Sequence, residues 1–520
     1  MSPIEQIIAY HPDASELFKH LGGTDADFTV FLESADVSTQ SGINSIGVLK
    51  AAAVVTCTGQ TVQATALSPA GEELVGLVEK AKEQQRAHAA HYAPGGKCAA
   101  GETADERARL QATSNAEALK AIHRSGHMLL GGFAFDYLAT FEELPEVAQG
   151  PNTYPDYQFI IPELMLTLNH RDRTASLKVF PTSTEHAREL SDALCALAKR
   201  ARELDRRPPR ETPEDAHLSS KGAAGERTAS GALNVTVSLD DAAFCAGVTQ
   251  FQRDIAAGDV YQIVPSRAFH APCPDAFAAY QVLRVTNPSP YMFYLRGRDA
   301  AGTPFELFGA SPESNLKYTH VDRRVRLYPI AGTRPRGASP EMDVRNELTL
   351  RTDAKELAEH TMLVDLARND VARVSSPGTR TVDQLMSVER YSAVMHLVSE
   401  VSGQLASGLD ALDAFRACMT MGTLTGAPKL RAAELIRSFE GMRRGSFGGA
   451  IGYLKPDGDM DTCVVIRSAF VQGGRAIVQA GAGVVRDSVP QSEADETLHK
   501  AFAVLHALAL SQGKTMEVTR

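Results

Sequence analysis

Hydrophobic positions along this chain follow two periods, and the switches between them mark its elements. Alternating or continuous apolar runs at Gln158–Leu168, Ser176–Phe180, Arg326–Ile330, Thr462–Val471 and Ala476–Ala480 predict strands. Runs with the helical period lie between them. One covers Glu185–Leu204. A second opens at Ser238 as N-cap with Asp241 three positions on, carries the stripe Phe244, Val248, Phe251 and Ile255, and ends at Gly258. A third begins near Asp353, with Glu356 at the capping-box spacing. A fourth follows Pro490, with Ser492 and Asp495 in a similar relation and Leu498, Phe502 and Leu505 on one face. These elements do not alternate as strict βαβ units, so the expectation is an α+β fold and not a doubly wound sheet.

Two stretches lack any apolar period. Residues 83–115 are rich in Ala, Gly, His and charge, and residues 206–232 hold three prolines and read as a linker. The expected organisation is an N-terminal part at 1–205, the linker at 206–232, a larger part at 233–512 and a tail at 513–520.

Composition narrows the function. Of 520 residues, 43% are hydrophobic and 22% charged, which suits a globular chain with a large core. The net charge is −10 and no Lys/Arg cluster stands out, which argues against a nucleic-acid partner. The seven cysteines (Cys57, Cys98, Cys195, Cys245, Cys273, Cys418 and Cys463) are scattered and form no C-x-x-C pair, so neither a disulfide framework nor a zinc site is expected. The start, MSPIEQIIAYHPD, lacks a signal-peptide pattern, and no apolar run approaches the ~18 residues of a membrane span. A cytoplasmic location with no membrane association is the expectation.

Candidate chemistry lies in the C-terminal half. In RTDAKELAEHTMLVDLARND (351–370), Glu356 and Glu359 share a helix face; in QSEADETLHK (491–500), Glu493 and Glu496 repeat the device with Lys500 one turn beyond. Four carboxylates on two helices could hold a hard cation such as Mg²⁺; the same spacing also suits two solvated helix faces. A di-iron site would need Glu-x-x-His pairs, whereas His360 lies four residues after Glu356. In YPIAGTRPRG (328–337), Gly332 allows close backbone approach and Thr333 offers a hydroxyl; a surface hairpin would read alike. Gly481 and Gly483 form G-x-G-x-x-R, not a dinucleotide fingerprint, and suit backbone N–H groups presented to a carboxylate. The GKT at 513–515 has Leu508 where a P-loop needs glycine. Arg467, inside the apolar run TCVVIRSAF, is placed either for an internal salt bridge or for a ligand carboxylate. His396 alone would read as a core histidine.

Together these segments resemble the chorismate-utilising enzymes, and among them the component I subunits that make anthranilate. The match is carried by GDVYQIVPSR (258–267), NPSPYMFY (287–294), FGASPES (308–314), PIAGTRPRG (329–337), both Glu-pair segments, VMHLVS (394–399), MGTLTGAPK (421–429) and DTCVVIRSA (461–469), with FLESAD (31–36) resembling an N-terminal tryptophan-sensing motif.

The resemblance implies a large antiparallel β-sandwich flanked by helices around a deep cleft. It implies conversion of chorismate and ammonia to anthranilate and pyruvate with Mg²⁺ held by Glu359 and Glu496, and with Glu356 and Glu493 beside them. It implies Glu313 as general acid, His396 for the second step and Thr423 among the catalytic residues. Gly332, Thr333, Glu356, Phe447, Arg467, Gly481, Ala482, Gly483, Glu493 and Lys500 fall at substrate-binding positions, and Ser34, Pro290, Tyr291 and Met292 at a tryptophan pocket for feedback inhibition. The resemblance thus implies a regulatory and structural role for 1–205 and the catalytic role for 233–512. Ala331 and Gln262 stand where relatives that aminate at C4 or add water at C2 carry lysines. Phe447 departs from the family's usual Tyr. No glutaminase domain is recognisable, so the resemblance implies a separate glutamine amidotransferase subunit in a heterotetramer of two of each. The competing readings are an enzyme that stops at 2-amino-2-deoxyisochorismate and a non-catalytic tryptophan-binding sensor.

Overall fold

Two long strands, Asn44–Thr58 and Tyr157–Asn169, pair antiparallel along most of their length, and register shifts between Val48 and Ala53 bend the pair. The sheet grows from this bent pair as two limbs. The computed structural model describes residues 3–34, 44–89, 110, 112, 114–205, 231–390 and 394–520. Among them one sheet holds 21 strands.

The first limb runs from Asn44–Thr58 through Thr29–Glu33, Tyr291–Arg298, Pro304–Ser311, Ser468–Gln472, Arg475–Gly481 and Ser266–Pro272 to Ala232–Val237. The second runs from Tyr157–Asn169 through Leu129–Phe133, Ala450–Leu454, Met460–Val464, Ser314–Thr319 and Arg324–Leu327 to Val394–Gln404, which also carries Ile330–Pro335 and Thr381–Arg390. These pairings are antiparallel. Thr515–Thr519, in the expected tail, adds a parallel strand beside Ala232–Val237.

The limbs face each other across one apolar layer, to which Val30, Phe293, Phe470 and Ile477 come from the first and Leu130, Ile160, Ile451 and Cys463 from the second. Helices Ala14–His20, Thr184–Asp205, Ala276–Thr286 and Pro490–Ser511 cover the outer face of the first limb. Helices Pro69–Ala89, Glu117–Arg124, Ala354–Val374 and Ala411–Cys418 cover that of the second. This is the expected α+β sandwich. It also explains the continuous apolar strands: in Tyr291–Arg298, Phe293 and Leu295 enter the inner layer while Met292 and Tyr294 face the helices, so both faces are buried. No described helix is long and apolar enough to cross a membrane, and the six cysteines among the described residues are free.

Several local expectations change. The helix after Ser238 spans Asp241–Ala257 with Asp240 as its N-cap, while Ser238 Oγ accepts from the Ala268 N–H at 2.9 Å. Gly258 ends it at φ +88° as expected. Asp353 caps Ala354–Val374, but the Glu356 side chain turns to Arg334 and closes no capping box. Pro490–Ser511 begins without a side-chain cap, and its buried face is Ala494, Thr497, Ala501, Val504, Leu505 and Leu508, leaving Phe502 48% exposed. The run Thr462–Val471 is two strands, Met460–Val464 and Ser468–Gln472. The strand expected at Arg326–Ile330 is likewise two, Arg324–Leu327 and Ile330–Pro335.

Nearly all of 206–232 and most of 83–115 lie outside the described residues. The parts before and after 206–232 share both limbs: Thr29–Glu33 pairs with Tyr291–Arg298, and Leu129–Phe133 with Ala450–Leu454.

Candidate active site

The chain crosses between the two limbs at neighbouring points. Pro312 and Glu313 connect Pro304–Ser311 to Ser314–Thr319, and residues 465–467 connect Met460–Val464 back to Ser468–Gln472. A cavity of about 430 Å³ opens there. It is walled by both crossings, by the strands carrying Thr333 and His396, and by the helices carrying the two Glu pairs.

Glu313 is buried, and its Oε1 accepts from Thr423 Oγ1 at 2.7 Å. Burial pushes its carboxyl up to about 7, against the Thr423 hydrogen bond and the charge of Lys500. Across the cavity, Thr333 and His396 are register partners, next to a bulge between Ala331 and Thr333. His396 Nδ1 lies 3.2 Å from the Gly332 carbonyl and 3.0 Å from Thr333 Oγ1. An Nδ1 proton given to that carbonyl puts the lone pair on Nε2. Burial lowers the His396 pKa, the Gly332 carbonyl opposes this, and the charge of Arg467 adds to it, so the neutral imidazole is favoured. Gly332 has φ +76°, and a Cβ there would meet Leu350 at 2.9 Å and Glu356 Oε2 at 3.3 Å.

The two helices bring their carboxylates to the same cavity. Glu356 is held by Arg334 at 3.0 Å, Glu496 by Lys500 at 2.6 Å, and Glu359 lies 3.8 Å from Lys355. Burial raises the Glu359 pKa against the pull of Lys355, and Glu356, Glu496 and Glu493 raise it further. Burial also raises that of Glu493, with Ser488 opposing and Glu496 adding. No three His, Cys, Asp or Glu groups converge on one point among the described residues. A Mg²⁺ ion often takes only one or two protein carboxylates, however. The crowd of mutually repelling oxygen donors fits a hard divalent cation.

Arg467 sits in the crossing, not in a strand, with φ +49°, and its Nη1 donates to the Lys500 carbonyl at 3.1 Å. Lys500 Nζ reaches the Gly481 carbonyl at 3.0 Å. A Cβ on Gly481 would lie 2.7 Å from the Pro265 carbonyl, so that position needs glycine for space and not for φ, whereas one on Gly483 would meet Gln262 Nε2 at 2.7 Å, the movable end of a side chain. Phe447 lines the wall, with the Arg444 guanidinium 5.5 Å from its ring. Ala482 is the one substrate-position residue turned away: it is fully buried and its N–H goes to Pro265 O at 3.1 Å. Gln262 and Ala331 line the cavity without a lysine between them.

Sequence reasoning missed Lys355 and Arg334. Lys355–Glu359 was legible as an i,i+4 pair mirroring Glu496–Lys500. Arg334 lies two residues past Gly332, but only the strand–helix packing puts it against Glu356 and Asp353.

Ser34, Pro290, Tyr291 and Met292 gather elsewhere. Met292 pairs with Glu33, the residue before Ser34. Ser34 Oγ is buried without a hydrogen-bond partner among the described residues. The Tyr291 hydroxyl donates to Asp461 Oδ1 at 3.1 Å, on the strand that leads into the Arg467 crossing. Ala35 and Asp36 of FLESAD lie outside the described residues.

The family model described as chorismate binding enzyme matches residues 73–506. The chain is 43% identical to anthranilate synthase component 1 of Escherichia coli (strain K12), covering 96% of this chain and 95% of that protein. It is 44% identical to anthranilate synthase component 1 of Vibrio cholerae, covering 99% and 98%. The crystal structure of anthranilate synthase component I from Streptococcus pneumoniae superposes with a TM-score of 0.65 at 28% identity, covering 89% of this chain and 92% of that one. With a family model spanning most of its length and near-full-length relatives on the same pattern, this chain belongs to the chorismate binding enzyme family, alongside the anthranilate synthase component 1 proteins.

Proposed function

We propose that this chain is the synthase subunit of an anthranilate synthase, converting chorismate and ammonia to anthranilate, pyruvate and water through 2-amino-2-deoxyisochorismate. The observation that carries the reading is the pair Glu313 and His396 in one cavity: an acid raised to about 7 and an imidazole kept neutral. Groups driven apart in this way suit separate acid and base roles.

In the first step ammonia bonds to C2, the ring double bonds shift, and the C4–O bond breaks. Glu313, protonated and steadied by Thr423, gives its proton to the departing hydroxyl, which leaves as water. In the second step His396 takes the C2 proton, the ring aromatises and the C3–O bond breaks, and the departing enolpyruvate takes up a proton in place of the one removed and leaves as pyruvate. Arg467 would bind the enolpyruvyl carboxylate through its planar fork. Gly481 and Gly483 would let the backbone close on the substrate. Glu359 and Glu496, with Glu356 and Glu493 beside them, would hold Mg²⁺, which supplies charge neutralisation for the ring carboxylate. Gln262 and Ala331 offer no lysine, which suits ammonia as the nucleophile. Ammonia would come from a glutamine amidotransferase subunit, in a heterotetramer of two of each, in the cytoplasm.

Feedback inhibition by tryptophan is part of the proposal. The Ser34 hydroxyl, buried without a hydrogen-bond partner among the described residues and next to the strand of Tyr291 and Met292, would meet the bound amino acid. The Tyr291–Asp461 bond ties it to the strand whose Val464 N–H binds the Glu313 carbonyl at 3.0 Å. The division into a regulatory 1–205 and a catalytic 233–512 is proposed on the same ground, as a division of roles within one sheet.

The test is anthranilate fluorescence from the purified chain with chorismate, Mg²⁺ and ammonium salt, with and without EDTA and tryptophan. Metal-dependent, tryptophan-suppressed anthranilate is expected; chorismate consumed without anthranilate would overturn the second step. Ser34→Ala is expected to relieve inhibition by tryptophan, and unchanged inhibition would move the effector site elsewhere.

A further inference from the structure

A second cavity, of about 400 Å³, lies on another side of the segment 419–430, and no step proposed above uses it. Met419, Thr420, Lys429 and Leu430 from the two ends of that segment line it, while Thr423 and Leu424 from its middle line the first cavity. The remaining wall is Leu138, Phe141, Glu142, Arg373 and Arg416.

Three cations face this space, but two are already engaged. Lys429 is ion-paired with Asp370, and Arg373 Nη1 donates to the Ala417 carbonyl at 2.7 Å. Arg416 differs. It is only 8% exposed, and its Nε and Nη1 are buried with no hydrogen-bond partner among the described residues. Its guanidinium sits 5.1 Å from the Phe141 ring centroid, a contact that orients the group without satisfying its N–H donors. A guanidinium cannot shed its proton to escape such a site, and a buried cation lacking an anion is destabilising. The other acids near the helix are engaged: Asp413 with Lys120 at 2.6 Å, and Asp370 with Lys429. Glu142 has contacts of its own.

We propose that this cavity binds a small organic carboxylate, its anionic head on Arg416 and its apolar body against Leu138, Phe141, Met419 and Leu430. The volume and mixed lining favour a free small molecule: the space is far larger than one acidic side chain would fill, and it falls in the usual range for small-molecule pockets. An occupant would touch both ends of the segment that positions Thr423 against Glu313. Within the segment the Thr420 and Thr425 hydroxyls are 2.6 Å apart, so its two arms are already tied. Occupancy would therefore bear on the first cavity, and by linkage a ligand there would alter affinity here.

Titration calorimetry with benzoate on the full chain tests this. An Arg467→Gln background removes the guanidinium of the first cavity, so that the heat reports the second. Saturable binding is expected, weakened about tenfold or more when Arg416→Met is added. The same loss is expected from Leu430→Asp, which sets a carboxylate at the mouth where the residue is 43% exposed and folding is least at risk. Binding that survives both substitutions overturns the site. No binding in the parent also overturns it and leaves Arg416 to an acidic side chain of a partner protein. Inorganic phosphate competing as well as benzoate would overturn the assignment to an organic carboxylate.

Discussion

The charges of the first cavity and those buried beneath the outer helices obey opposite rules. Below the helices, Arg416 apart, the strong charges have close partners. Lys120 meets Asp413 at 2.6 Å, and Arg267 is shared among Asp241, Thr497 Oγ1 and two carbonyls. Arg444 is bidentate to Glu440. In the cavity, like charges are crowded: Glu359 is raised by burial and by three neighbouring glutamates, and Glu313 is raised with only a hydroxyl as hydrogen-bond donor. The fold resolves its electrostatics where only stability is at stake and leaves them unresolved where a cation, an anionic substrate and a proton are to be handled.

Substitutions on each side of this contrast should behave differently. The largest effect is expected from Glu313→Gln, which removes the proposed acid and should lower the rate of chorismate consumption by roughly 10²–10⁴-fold, read by steady-state kinetics. The pH profile sharpens it. Because the Glu313 pKa is raised from its ordinary 4.5 to about 7, the acid is available below about 7 and is lost as pH rises through that value. Its contribution to stability has the same sign, complete below about 4.5 and lost through about 7. The wild-type kcat/KM should show a falling alkaline limb that the variant lacks.

Next comes His396→Gln, expected to cut anthranilate formation by about 10²-fold or more while chorismate is still consumed. Chromatography should then find 2-amino-2-deoxyisochorismate accumulating, and equal loss of both steps would contradict the division of roles. On the other side of the contrast, Lys120→Met leaves Asp413 buried and unpaired. It should destabilise the fold by about 3–5 kcal/mol in denaturant titrations, with KM for chorismate unchanged in the molecules that remain folded. The smallest effect is expected from Phe447→Tyr. A hydroxyl added at the cavity wall could contribute about 0.5–1.5 kcal/mol through one hydrogen bond, a several-fold fall in KM with little change in kcat. A large change in kcat would place Phe447 in the chemistry itself.

Legibility in the sequence followed the range of the interactions. Both Glu pairs, their helices and the Glu496–Lys500 contact come from spacing within one or two turns, and the structure keeps them. Caps proved less legible. Ser238, Glu356 and Ser492 have the right types at the right offsets, yet their groups serve the Ala268 backbone, Arg334 or no cap at all. A side chain capable of a local bond was drawn off by a tertiary partner in two of these cases. Arg467 shows the same limit. Its apolar neighbours read as one strand, but the chain changes layers there and turns through a left-handed residue.

By itself, then, the sequence determined the periodic elements, the shared faces of the glutamates and, through motif order, the family. Those properties depend on neighbours a few residues apart or on a pattern read as a whole. Tertiary structure alone decided that Glu313 and Arg467 occupy adjacent crossings between limbs, that Arg334 meets Glu356, that Ala482 turns away, and that Arg416 is buried without an anion among the described residues. Burial and electrostatic neighbours across 22 to more than 100 positions set those outcomes. No local period encodes them, because the bent strand pair brings the two limbs together only after the chain has closed on itself.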